Sequence, residues 1–234
     1  MTAAIIIRYL STLLLFIGPQ AASEPGDETR FVEARAAFRA CKAESANTNP
    51  LLARVAYSQE THSLCITGDI DGSLASAVRK KLNELANVGE AKISHVVLSS
   101  DGGQLRPAID IANEIEKLDA SVVVGERCAS SCAQFLFPAG KDKILLKGGL
   151  LLFHGGPVLD DIIAAMNIPD AAKQHLRSEQ EAFRTFYHSH GIDMSMLTNP
   201  PPDVQRDLNA GMLVMWSWPA DKLEAFGIDR VFQQ

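Results

Sequence analysis

The chain predicts an α/β fold built on a buried parallel sheet, and three observations carry the prediction. Val96-Val97-Leu98, Ser121 to Val124 and Leu150 to Phe153 are short and apolar on both faces, as buried strands of a parallel sheet are. Each runs into a break of small residues that holds a polar group: Ser99-Ser100-Asp101-Gly102-Gly103, then Cys128-Ala129-Ser130-Ser131-Cys132, then His154-Gly155-Gly156. Helical periodicity alternates with these runs, which calls for right-handed crossovers. Ligands of such sheets sit beyond the carboxyl ends of the strands, so glycines, serine and histidine at successive strand ends point to one site.

The elements follow in chain order. Arg8, the apolar run Leu13 to Ile17, the Gly18-Pro19 break and Ala21-Ala22-Ser23 read as a secretory signal peptide over residues 1–23, cut after Ser23. Its apolar span is short and interrupted, which argues against a retained anchor, so no stable membrane span is expected after cleavage. Residues 24–234 are expected to form one domain with a helical C-terminal portion. Phe31 to Lys42 predicts a helix, and Ala53 to Tyr57 and Ser63 to Thr67 predict two strands. Ser73 is the expected N-cap of a helix over Leu74 to Asn87, where Leu74, Ala77, Val78, Leu82 and Leu85 make one apolar face. A strand over Ile93 to Leu98 precedes a helix over Pro107 to Leu118, with proline in its first turn. Ser121 to Gly125 is a strand, Ala133 to Ala139 a helix, and Lys141 to Leu146 and Gly149 to Phe153 two further strands. Leu159 to Met166 and Asp170 to Ser189 are helical, the latter with Leu176, Ala182, Phe183 and Phe186 as apolar positions. Met212 to Trp218 is a strand or buried stretch, Ala220 to Phe226 a short helix capped by Gly227, and Ile228 to Phe232 a last strand.

A formal charge of −6 leaves no basic footprint and excludes a nucleic-acid partner. Four cysteines in an exported chain favour disulfides and allow three connectivities. Cys41 with Cys65 and Cys128 with Cys132 is the preferred set, because the second pair would tighten the turn carrying Ser130 and Ser131; buried free thiols are the alternative. No metal site is expected, since no histidine stands at zinc-finger spacing from the cysteines, and His188-Ser189-His190 reads as a solvated helix end.

The order of Ser100-Asp101-Gly102-Gly103, of Cys128 to Gly140 (CASSCAQFLFPAG) and of Leu151-Leu152-Phe153-His154 resembles the Clp protease proteolytic subunit. More broadly it is similar to secreted members of the ClpP/crotonase superfamily, best over Leu64 to His154. The resemblance implies a spiral of parallel strands and crossover helices, serine-hydrolase chemistry without a cofactor, and homo-oligomers. Counting back nine residues from Gly140 places the nucleophile at Ser131. Ser130 is its rival by one register step and Cys132 a third candidate; the match at Phe135 and Leu136 favours Ser131. His154 matches the general base, and Gly102 and Gly103 the oxyanion turn, with the N–H groups of Gly102 and Cys132 as donors. Asp101 departs from the family pattern and is expected to face outward. Alignment on Gly227 puts Met215 where the acid of the triad belongs; Asp160, Asp161, Asp193 or Asp203 could substitute.

The expected function is that of an exported, periplasmic or secreted serine peptidase that forms an acyl-enzyme. Lacking an ATP-driven unfoldase outside the cytoplasm, it would take peptides or unfolded chains. Two alternatives stand beside it. Met215 favours a catalytically weak or inactive scaffold, and the oxyanion turn would also suit a crotonase-like thioester enzyme, which export away from coenzyme A disfavours.

Overall fold

The computed structural model describes residues 25–46, 55–89, 92–156, 160–210, 212 and 214–234; the signal segment read over residues 1–23 lies outside them. The hairpin of β1 (Val55–Ser58) and β2 (Ser63–Thr67) is antiparallel and forms one edge of the sheet. From β2 onward the pairing is parallel, through β3 (His95–Ser100), β4 (Ser121–Ala129), β5 (Lys143–Leu145) and β7 (Val231–Gln233). β4 is long enough to serve two partners: residues 122–124 pair with β5 and residues 127–129 with β6 (Leu150–Leu152). Its register against β3 shifts between Leu98 and Ser100, so the far end of β4 diverges towards β6. The site lies at that far end.

Both sheet faces are covered, which is why the strands read as continuous apolar runs. Val97, Val123 and Ile144 face α1 (Pro25–Ala46), with Ala34, Ala37 and Cys41 packed on them. Val96, Leu98, Val122 and Val124 face the other way, onto α2 (Gly72–Asn87) and α3 (Leu105–Lys117). A π-turn (Cys132–Leu136) follows β4 where an α-helix over Ala133 to Ala139 was expected. Ser73 is not the cap of α2: Asp71 accepts from the Leu74 N–H, and the Ser73 hydroxyl donates to the same carboxylate.

The C-terminal portion is helical: α4 (Asp160–Ala165), α5 (Asp170–Ser189), α6 (Ser195–Thr198), α7 (Pro202–Asn209) and α8 (Ala220–Ala225). α6 and α7 had no expectation in the sequence. Among the described residues of Met212 to Trp218, the pairing with the sheet is the antiparallel bridge of Trp216 with Phe153. Phe135 of the π-turn meets Phe183 and Phe186 of α5 edge-on at 5.0 and 5.1 Å, joining the sheet to these helices. Among the described residues no helix is long and apolar enough to cross a membrane. The four cysteines stand in two pairs at disulfide distance, Cys41 with Cys65 and Cys128 with Cys132.

Candidate active site

The serine turn is built by backbone bonds on both sides. Ser130 N–H donates to Leu152 O of β6, and its own carbonyl accepts from Gln134 N–H. The Cys128–Cys132 pair spans the turn, and Ser130 is left with φ of +55°. A left-handed conformation is disfavoured for a residue with a Cβ and costs about 1–3 kcal/mol, held only where the surroundings over-determine it. Here the result is to aim the Ser130 hydroxyl at His154, with Oγ 2.7 Å from Nε2.

Ser131, the expected nucleophile, does not pair with His154. Its side chain is buried and its hydroxyl both donates to Gly103 O and accepts from Gly103 N–H, each at 2.8 Å. The physical reason lies in the π-turn. The count from Gly140 follows the family's sequence pattern and carries no local geometry, whereas here Phe137 N–H bonds to Cys132 O, five residues back. A π-turn holds one residue more than an α-turn. In this turn the left-handed Ser130 faces the histidine, and Ser131 is turned onto Gly103.

His154 follows β6, and Nδ1 lies 2.9 Å from Gly155 O. A carbonyl can only accept, so Nδ1 carries the proton and Nε2 is free to accept from Ser130. Gln134, buried in the π-turn, donates to His154 O at 3.2 Å and fixes the backbone beneath the ring. Among the described residues no carboxylate bonds to His154. Asp160 pairs with Arg184, Asp161 accepts from Ile162 N–H, and Asp193 accepts from Ser195 N–H, whose bonds hold the Asp193 carboxyl below the usual carboxylate range. Met215 is 42 % exposed.

The glycine pair is required by space. A Cβ on Gly102 would stand 2.6 Å from Ser130 Cβ, and one on Gly103 would overlap the Ile70 carbonyl. Both also have positive φ, which glycine alone adopts freely. The donors differ from expectation: Gly102 N–H is engaged by Ser100 Oγ at 3.0 Å, and Gly103 N–H by Ser131 Oγ. Cys132 is fully buried, and with Ser130 facing the histidine the next N–H in sequence is that of Ser131. Asp101 faces outward as expected, 68 % exposed and 2.6 Å from Arg127 Nε.

Ser130, His154 and Gly103 open onto a cavity of ≈ 240 Å³ walled by Phe135, Ile163, Leu176 and Phe183. Gln180 lines it too, and neither Gln134 nor Gln180 was anticipated as a site residue. A signal existed for both. Gln134 interrupts an apolar run, and Gln180 stands four residues after Leu176 and three before Phe183, on the apolar stripe of its helix. The other histidines stand apart: His62 Nδ1 meets Tyr57 OH at 3.2 Å, and burial lowers the pKa of His95.

No curated protein matches the chain. Among solved structures it is similar to a ClpP1 point mutant from Listeria monocytogenes, at 15 % identity and a TM-score of 0.47, covering 74 % of this chain and 92 % of that one. The model of the Clp protease family matches residues 52–210, a span that includes the serine turn, the glycine pair and His154, and the chain belongs to that family.

Proposed function

We propose that the protein is an exported serine peptidase in which Ser130 is the nucleophile and His154 the general base. The observation that carries this reading is the 2.7 Å contact of Ser130 Oγ with His154 Nε2 at the edge of an apolar cavity. In the reaction Ser130 Oγ bonds to the substrate carbonyl carbon while its proton passes to Nε2. The oxyanion so formed is taken by Gly103 N–H and Ser131 N–H, the Ser131 hydroxyl leaving Gly103 as the oxygen arrives. Breakdown expels the amine, which takes the proton from Nε2. Water, deprotonated by the same nitrogen, then attacks the Ser130 ester, and Nε2 returns the proton to Ser130 Oγ while the acyl group leaves as the carboxylic acid product. The Gly155 carbonyl does for the tautomer what a carboxylate would do, but with less stabilisation of the imidazolium. No cofactor enters this scheme, and its substrates are peptides or unfolded chains.

A second reading is favoured by a specific observation. Both glycine N–H groups are already engaged by serine hydroxyls, and no acid reaches His154 among the described residues, as befits a binding scaffold that has lost catalysis. Fluorophosphonate labelling of the mature protein with peptide mapping separates the two. The peptidase predicts label on Ser130, retained in Ser131→Ala and lost by roughly a thousandfold or more in Ser130→Ala and His154→Ala. Label on Ser131 would restore the count from Gly140, and no label on folded protein would leave the scaffold.

A further inference from the structure

Of the polar side chains lining the cavity, Ser130, Ser131, Gln134, His154 and Glu179 all have partners within the protein. Gln180 has none. It is 4 % exposed, and neither Nε2 nor Oε1 finds a hydrogen bond among the described residues. Leaving a buried amide unpaired forfeits the hydrogen bonds it made to water, and such groups are rare in folded proteins. Methionine or leucine would fill the same space on the α5 stripe without that cost. The charges nearby are spoken for: Arg106 donates to Glu179 and to Ser178 at the rim. The cavity therefore has apolar walls and, enclosed along one of them, a neutral unpaired amide that a ligand reaches once the Gln180 side chain turns inward, able to donate twice and accept through a carbonyl.

We infer that Gln180 is a specificity-determining residue, selecting substrates with glutamine at the position whose carbonyl Ser130 attacks; this rests on the peptidase reading above. A glutamine side chain lays its methylenes against Phe135, Leu176 and Phe183, and its carboxamide pairs reciprocally with that of Gln180. Methionine at the same position fills the space and leaves Gln180 unpaired. Glutamate brings a charge that apolar walls do not solvate.

The test is a set of fluorogenic peptides identical except for glutamine, methionine or glutamate before the scissile bond, hydrolysed by wild-type protein and by Gln180→Met. The wild type is expected to favour glutamine over methionine by about tenfold or more in kcat/KM, with glutamate lower still. Gln180→Met is expected to collapse or invert that ratio and, having lost an unpaired buried amide, to keep or raise its Tm. Equal wild-type rates on glutamine and methionine, or a ratio unchanged in Gln180→Met, overturn the inference. Fluorophosphonate labelling of wild-type Ser130 tells the failures apart. Label without glutamine preference sinks the role of Gln180 alone, and absence of label sinks it together with the peptidase.

Discussion

β3, β4 and β6 hold Gly103, Ser130 and His154 through paired backbones, whereas α4 and α5 close the same cavity with side chains packed from the other side. The first region is tied by ladder bonds, by Ser130 N–H on Leu152 O and by the cysteine pair across the turn. The second is tied to it by aromatic contacts at Phe135 and by an ion pair from Arg106 to Glu179 near the surface. A misplacement of about 1 Å costs catalysis some hundredfold, so groups that do chemistry belong on the rigid part. The wall that reads the substrate is free to differ.

The ring at the junction should carry the largest effect. Phe135→Ala removes the edge-on partner of both Phe183 and Phe186 in a fully buried position. A loss of roughly 3–5 kcal/mol is expected in urea denaturation. A loss below about 1 kcal/mol would mean that α5 is held to the sheet by something other than this cluster.

The two cysteine pairs divide the comparison more finely. Cys41–Cys65 closes a separation of 24 residues and ties α1 to β2, away from the site. Replacing both by serine should cost about 3 kcal/mol by loop closure and leave the rate of Ser130 labelling unchanged while the protein is folded. Cys128–Cys132 closes a separation of four, worth about 2 kcal/mol on the same basis, yet it spans the left-handed Ser130. Its double serine variant should slow labelling roughly tenfold or more. If both variants lose stability in that order and label equally, the turn is held by its backbone bonds alone.

What the sequence disclosed follows the same division. Short apolar runs ending in Gly102-Gly103, Ser130-Ser131 and His154 marked the strand ends, because burial on both faces leaves a composition that can be read directly. The register within the serine turn was hidden, because a π-turn differs from an α-turn by one residue and no propensity announces it. α7 is eight residues long and sets only Val204 and Leu208 half-buried against the core, a pair too short to announce it as an apolar stripe. Gln180 was passed over because a lone glutamine on a helix is ordinarily solvated, and only the packing of α5 against Phe135 removes it from water.

The smallest expected effect tests whether the C-terminal portion can still take part in the chemistry. The bridge of Phe153 with Trp216 has both N–H···O bonds, at 2.7 and 2.9 Å, and its antiparallel register sets Met215 across from His154. Residues so opposed have Cβ atoms about 4.5–5.5 Å apart, within reach of a short carboxylate. Met215 is exposed, so a polar replacement there disturbs no core. In Met215→Asp the carboxylate would take Nδ1–H from the Gly155 carbonyl and stabilise the imidazolium formed as Ser130 loses its proton. A gain of about tenfold in labelling rate and peptide hydrolysis is expected, modest because solvent screens an exposed pair. Met215→Asn, similar in shape and uncharged, should give little of it. Equal rates for the two variants would mean that the segment carrying Met215 does not address the histidine, and that the serine–histidine pair of the sheet works alone.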